Sequence, residues 1–461
     1  MKKYISKLLF LGIGAVMFSC SDFLEPTIEQ GKELSVAIKT PEDIRGLILG
    51  AYDHMNNDEY YGRDFVVYGE VQSDNALSNG NSGRFISAGL FRFTYRSSDP
   101  ATAWYNMYET ISALNLAIQS EIEDNSEYTV HLKGQAKALR ALVYMDILRL
   151  FGQQYVSGGT LGIPYVTEYV YGGVISKPAR NTLQETWDMI EKDLKDAEEQ
   201  MKPEYDEDNI NTFTTHALNA FMSRFYLYVN NPEMAKIYAK RVIDSKAFQL
   251  VTDVMNGDVT TKNLEEAWAK NGHKSNVFEL AFTSTDRTGS ASIARIFQAT
   301  NYGDIEVANG LYELYEDSDV RKKFFTTNKK VQRIVKKYPD QLGTDNIRVI
   351  RYAEVILNYA EALVKTQDPM ALEYLNMIPE ARMASKYTEA TLENVLLERR
   401  KELAMEGHRK WDLLRNGYGV DRVDDDEANN MNVPFGDGRH AFPIPFTELN
   451  ANPDIVQNKD Y

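Results

Sequence analysis

Cysteine is almost missing from this chain of 461 residues. Only Cys20 is present, so no disulfide can form within the chain and stability must come from the core. Basic blocks are missing as well. The formal net charge is −16, and an acidic chain without a basic stripe repels phosphate backbones, which excludes nucleic acid as a partner. No apolar run reaches the length of a bilayer; Leu8–Phe18 is too short to span one. Catalytic fingerprints are also lacking. There is no HExxH, no P-loop and no dinucleotide fingerprint, and GNSG at 80–83 lacks the GxSxG spacing. The acidic run Asp424, Asp425, Asp426, Glu427 lacks the spacing of a Ca2+ loop and reads as a solvated loop. These absences leave no expected metal and no expected cofactor, and the chain reads as a binding protein rather than an enzyme. A hydrolase acting through a carboxylate pair is the less favoured alternative.

What is present is an ordinary globular composition, 43% hydrophobic and 26% charged, long enough for a large core. Aromatics reach 11%, with 28 Tyr and 20 Phe; a phenol ring offers contact area and a polar tip, which suits binding surfaces. The N-terminus has the layout of a secretory signal: Lys2, Lys3 and Lys7, then the apolar run, then MFSC. The last four residues resemble a bacterial lipoprotein cleavage site. On that likeness residues 1–19 are removed, Cys20 carries lipid, and residues 20–461 form one domain. Membrane contact is then through acyl chains alone, at roughly 0.8 kcal/mol per buried CH2.

Helix signals dominate the rest. Thr40, Pro41 and first-turn acids open a helix over 40–55. Asp99 and Pro100 repeat that grammar for 99–119, and a further helix covers 131–152, ending at Gly152. Thr182 and Glu185 form a capping box for 182–201. Residues 215–245 read as a helical hairpin turning at Asn230-Asn231-Pro232, with Ala217, Ala220, Phe221, Tyr226, Ala235, Tyr238 and Ala239 at helical spacing. This hairpin resembles a tetratricopeptide helix pair, and 99–119 with 131–151 and 350–366 with 369–382 have similar dimensions. The scaffold is thus expected from about 40–55, 99–152, 182–245 and 350–415. Loop-rich stretches fill 56–98, 152–181, 247–310 and 416–461, with short hairpins such as NVFELAFT (276–283) among them.

Two stretches are dense in charge. RYAEVILNYAEALV (351–364) sets Tyr352, Val355, Ile356, Tyr359, Ala360 and Leu363 on one face and Arg351, Glu354, Asn358 and Glu361 beside it. In ERRKELAMEGHRKWDLLR (398–415), Glu398, Glu402 and Glu406 align at i, i+4, i+8. Such acids repel unless bases from elsewhere neutralise them. Gly407 reads as a helix end. His408 has no second His or Cys at ligand spacing. Both stretches read as scaffold.

These two stretches, the ending PIPFTELNANPDIVQNKDY (443–461), the start CSDFLEP (20–26) and DVRKKFF (319–325, with Val320 in place of a Pro) together resemble the SusD/RagB family, surface lipoproteins of Bacteroidetes. The resemblance runs from Cys20 to Tyr461. It implies a mainly α fold, a superhelix of tetratricopeptide-like helix pairs supporting a loop-rich, partly irregular ligand-binding half. It implies an outer-membrane, cell-surface, lipid-anchored protein. Such a protein captures oligosaccharides and passes them to a SusC-like TonB-dependent transporter; peptides are the alternative cargo. Within 70–98 the resemblance and the residue chemistry together point to Asp74, Asn75, Arg84, Tyr95 and Ser98, with Phe85 and Arg96 beside them. Sugars stack on rings and offer hydroxyls to Asp, Asn and Arg. A second arm is expected from 285–304, with Arg287, Gln298 and Tyr302.

Overall fold

Capping residues decide where the scaffold helices begin. The computed structural model describes residues 38–461 apart from 171–175, 253, 256–257, 260–261, 299–301, 329–330, 335 and 425–428. The expected signal segment 1–19, Cys20, and Asp425, Asp426 and Glu427 therefore lie outside the described residues. Nearly all that is described belongs to one unit, Lys39–Tyr169 with Lys177–Tyr461. Helix α1 (Pro41–Asn56) starts at Thr40, whose side chain accepts from Asp43 N while Asp43 reaches back to the Thr40 backbone. Helix α2 (Asp64–Val71) follows after a tight turn and is buried along its whole length.

Helix α3 (Ser98–Gln119) begins one residue before the expected Asp99. Its cap, Ser97, makes no side-chain cap bond, and Asp99 and Pro100 sit in the first turn instead. Helix α4 (Glu127–Phe151) begins four residues earlier than expected, because Ser126 accepts from Thr129 N. Helix α5 (Leu183–Gln200) has the Thr182–Glu185 capping box. Helices α6 (Thr215–Tyr228) and α7 (Pro232–Ser245) form the expected hairpin; Asn231 caps α7 and Asn230 takes a positive φ of 53°. Helix α8 (Tyr352–Lys365) and α9 (Ala371–Ala381) form a further pair. Helices α10 (Leu392–Glu402) and α11 (Arg409–Arg415) flank a corner at Gly407.

Packing runs α1 on α3, α3 on α4, α4 on α5, α5 on α6, α6 on α7, α7 on α8, and α8 on α9 and α10. This is a row of helix pairs, each burying its apolar stripe on the next. Rings of Tyr226 and Tyr238 stack at 5.5 Å inside the α6–α7 pair. None of the described helices is long and apolar enough to cross a membrane.

The expected loop stretches are only partly irregular. Strand β1 (Ala76–Ser78) pairs antiparallel with β3 (Ile305–Val307), and β3 continues through β5 (Val331–Ile334) to β4 (Phe325–Asn328). Strand β2 (Asn276–Leu280) falls where a local hairpin was expected. It pairs instead with β6 (Ile347–Arg351), some 70 residues away; both strands are buried throughout, with Val277, Phe278, Leu280, Ile347, Val349 and Ile350 in the core. A small ribbon, β7 (Val420–Arg422) with β8 (Met431–Val433), closes the C-terminal part.

The charged stretches are scaffold. Glu402 is held by Arg351 (3.0 Å), Arg382 (2.9 Å) and Arg321 (3.2 Å). Glu398 takes Arg321 (2.7 Å), and Glu406 takes Arg351 (2.6 Å) and Lys337 (2.5 Å). The bases that neutralise the acidic stripe come from 321, 337, 351 and 382, with Lys401 of the stretch itself on Glu398. On α8, Glu354 pairs with Arg224 (2.6 Å), Glu361 with Arg415, and Asn358 accepts from Arg399 (2.7 Å). Burial pushes the Glu402 carboxyl up, but the Arg382 and Arg351 charges outweigh it and hold it well below the usual range.

Candidate functional site

The turn Asn79–Arg84 is built before it is decorated. Gly80 and Gly83 supply positive φ values of 71° and 84°. Asn79 Nδ2 donates to Gly303 O (2.9 Å) and Glu306 Oε1 (2.6 Å), and Asn81 Nδ2 donates to Tyr302 O (3.2 Å). The buried Asp304 carboxylate accepts from Ser82 N and Ser82 Oγ, both at 2.7 Å. The β1–β3 ladder fixes the register beneath, with Ser78 opposite Ile305. On this frame the Arg84 guanidinium lies 4.5 Å above the Tyr302 ring and donates to Ser82 Oγ (3.0 Å). Arg84 and Tyr302, far apart in sequence, are thus brought together, with Arg84 about one-third exposed at its side chain (36%).

Tyr95 stands in a second group. Its carbonyl accepts from Phe446 N (2.7 Å), its ring is 6.0 Å from the Phe446 ring, and it is exposed. The Arg96 guanidinium lies 4.0 Å from the Phe446 centroid and 5.3 Å from that of Tyr95. Nearby, exposed Tyr105 hydrogen-bonds Thr447 Oγ1. Ser98 is exposed at the start of α3, and its hydroxyl donates to Asp99 Oδ1 (3.0 Å). The two groups share a foundation. Phe85 and Phe93, which follow Arg84 and precede Tyr95, both pack edge-on against buried Tyr68, at 6.1 and 6.0 Å. Phe85 and Phe91 hold left-handed φ values of 61° and 53°, which cost a non-glycine residue energy and persist because the rings are buried.

Asp74 and Asn75 need correction. Both were expected to meet ligand; both are committed to protein. Asp74 accepts from Arg409 Nε (2.7 Å) and pairs with Arg400 (3.1 Å). Burial pushes its carboxyl up, but the hydrogen bonds and charge of Arg409 prevail and hold it below the ordinary range. Asn75 is fully buried, donating to Glu70 Oε2 (2.9 Å) and accepting from Arg400 (2.9 Å). The reason is tertiary: α10 and α11 bring two arginines against this loop. Between those helices opens a cavity of about 270 Å³, walled by Leu396, Leu397, Leu413 and Tyr418 with Arg400 and Arg409. Gln298 is also inside, donating to Tyr338 O (2.7 Å). Arg287 is exposed after β2, within reach of the Asp340 charge.

Phe446, Tyr105 and Asp304 were not singled out as site residues. Phe446 lies some 350 positions from Tyr95, so only folding reveals the pair. Among the described residues no cluster of His, Cys, Asp and Glu is arranged to hold a metal ion. The surface offers exposed rings, exposed guanidiniums and amides on a braced frame, an arrangement suited to stacking and hydrogen bonding.

Comparison with known proteins places these features. The SusD family model matches residues 191–461, and a family described as starch-binding and associating with the outer membrane matches 22–227. SusD-like protein P38 of Formosa agariphila is 26% identical, with both chains covered in full. The crystal structure of a SusD superfamily protein from Bacteroides vulgatus superposes with a TM-score of 0.83 at 27% identity, over 92% of this chain and 100% of that one. A SusD-like carbohydrate binding protein from Bacteroides vulgatus shares the fold, with a TM-score of 0.76 at 20% identity over 91% and 98% of the two chains.

Proposed function

The chain belongs to the SusD family, and from that premise we propose that it is a cell-surface lipoprotein that captures oligosaccharides and delivers them to a partner TonB-dependent outer-membrane transporter. Its lipid anchor is Cys20. It binds its cargo without cleaving it. The contacts come from Arg84 and Tyr302, from Tyr95 and Ser98, and from Arg287. Asp74 and Asn75 position the loop from behind through Arg400 and Arg409.

The observation that carries this reading is the pair of ring–guanidinium shelves, part-exposed Arg84 on Tyr302 and exposed Arg96 beside Tyr95 and Phe446. A pyranose has an apolar face that stacks on a ring and hydroxyls that accept from a guanidinium edge. A stacked arginine is already oriented, so little side-chain entropy is lost when sugar arrives. The family description, starch-binding and associating with the outer membrane, supports both the cargo class and the location.

The test is calorimetric titration of the chain from Ser21 with a panel of oligosaccharides and mixed peptides, with the same mixtures assayed for new reducing ends and new amines. Oligosaccharide binding without cleavage is the expected result, and Tyr302→Ala should weaken it about tenfold. New reducing ends would sink the non-catalytic reading, and binding of peptides alone would replace the cargo. The transporter is tested by purifying the lipidated form from outer membranes in mild detergent, where recovery of monomer only would count against delivery.

A further inference from the structure

We infer that the captured oligosaccharide is anionic, carrying carboxylates or sulfate esters along its chain. This rests on the proposal that the segment 79–98 with Tyr302 faces the ligand. The chain carries 67 acidic residues against 51 basic ones, yet residues 75–98 contain Arg84, Arg92 and Arg96 and not one acid. A stretch with positive charge alone therefore falls on the surface proposed to meet the cargo.

Arg92 and Arg96 are presented outward, and Arg84 is part-exposed. Arg92 is exposed between buried Phe91 and buried Phe93, so its side chain is on the solvent side of a segment anchored from below. Arg96 is exposed and its guanidinium lies over the Phe446 ring. Among the described residues no carboxylate comes within ion-pair distance of Arg92 or Arg96. Arg84 reaches Asp304 only at 4.0 Å, and the Asp304 oxygens are already engaged by Ser82. The acids nearby are spoken for. Glu306 pairs with Arg333 (2.9 Å), and Asp99 accepts from Ser98. Burial pushes the Glu448 carboxyl up, and Asn452 and Trp104 hydrogen-bond it.

Arginines of the interior behave differently: Arg224, Arg321, Arg351, Arg382 and Arg415 each hold a carboxylate. A guanidinium matches carboxylate and sulfate in shape and charge, and two parallel N–H donors meet two oxygens. Two exposed guanidiniums without an acid partner, Arg92 and Arg96, and the part-exposed Arg84, whose one acid is the long contact to Asp304, form a set suited to a polymer with repeated negative groups. A neutral glycan would use the rings and hydrogen-bond the guanidiniums but leave their charge uncompensated. In an otherwise acidic protein these charges also steer anions to this face.

The experiment titrates the full mature chain with three size-matched probes: a neutral maltooligosaccharide, an oligogalacturonate and a sulfated oligosaccharide, with poly-glutamate as a non-sugar anion. The expected result is at least about tenfold tighter binding of one acidic sugar than of the neutral one, weakened several-fold when salt is raised from about 50 to about 500 mM. Whether oligogalacturonate or the sulfated sugar wins identifies the charged group. Arg92→Gln with Arg96→Gln should weaken the acidic sugar about tenfold while leaving thermal stability unchanged, and Lys192→Gln on the exposed face of α5 should alter neither. Tighter binding of the neutral sugar would overturn the inference and leave oligosaccharide capture standing. Acidic binding that ignores the double variant, or poly-glutamate binding as well as the sugar, would overturn it too. Failure of every oligosaccharide would remove the capture reading and this inference with it.

Discussion

At the scale of single residues, the least expected side chain is Lys410. It is fully buried on α11, and its ammonium donates to Gln72 Oε1 (2.7 Å) and His440 O (3.2 Å). Rings of Trp411, Phe442 and Phe91 surround it at 4.5 to 5.9 Å, and the charge that acts on it is that of Arg149, of like sign. Burial, then Arg149, push its pKa from 10.5 down to about 7. The unfolded chain keeps that proton to above pH 10, so between about pH 7 and 10 the unfolded state binds more protons. Stability should therefore rise as pH increases from 7, and below pH 7 the penalty for a buried charge is present in full. Lys410→Met should remove the rise and stabilise the protein at pH 6 by on the order of a few kcal/mol. Thermal melts of both proteins from pH 6 to 9 check this; parallel curves would show that Lys410 keeps its proton throughout.

At the scale of elements, the corner between α10 and α11 decides the geometry of the charged core. Gly407 takes a φ of 84°, and a Cβ there would stand 2.9 Å from Val66 Cα. Its carbonyl oxygen would lie 2.2 Å from a Cβ added to Gly69 on α2. Two backbones touch here, and Glu70 Oε1 accepts from Gly407 N (2.7 Å) to seal the contact. Gly407→Ala should cost about 1–3 kcal/mol, read as a lower midpoint in denaturant with an unchanged slope. An exposed cap is milder: Thr182→Ala, which removes the box on α5, should cost about 1 kcal/mol. If Gly407→Ala proved no worse than Thr182→Ala, the close approach would not be a constraint.

At the scale of the whole molecule, Glu402 is the knot. It joins α10 to Arg321, to Arg351 at the end of β6, and to Arg382 after α9, so segments far apart in sequence share one carboxylate. Removing it leaves three buried guanidiniums short of a partner. Glu402→Ala should destabilise the fold by about 3–5 kcal/mol, and no salt concentration should mimic the loss, because the network is screened from water. A loss under about 1 kcal/mol, or one reproduced by high salt in the parent, would show that the cluster is not buried in solution. The variant should leave ligand affinity unchanged wherever it remains folded, since Arg84, Tyr95 and Tyr302 stand on other elements.

Local chemistry was legible in the chain itself. The capping boxes, the Asn231-Pro232 turn, the helical stripes and the glycine corner follow from rules that act over four or five residues, and they suffice for a helical scaffold and its order. The motif order from 319 to 461 carried the family. The same short reach explains the errors. Ser126 moved the start of α4 by four residues, and β2 found its partner in β6 rather than next door. Asp74 looked like a sugar ligand because nothing local shows Arg400 and Arg409 arriving from α10 and α11. Phe446 reached Arg96 and Tyr302 reached Arg84 only through packing across hundreds of positions. Short-range preference determined the elements; which charges are spent inside and which face solvent was decided by the tertiary fold, because neutralisation of a buried charge depends on distance in space and not along the chain.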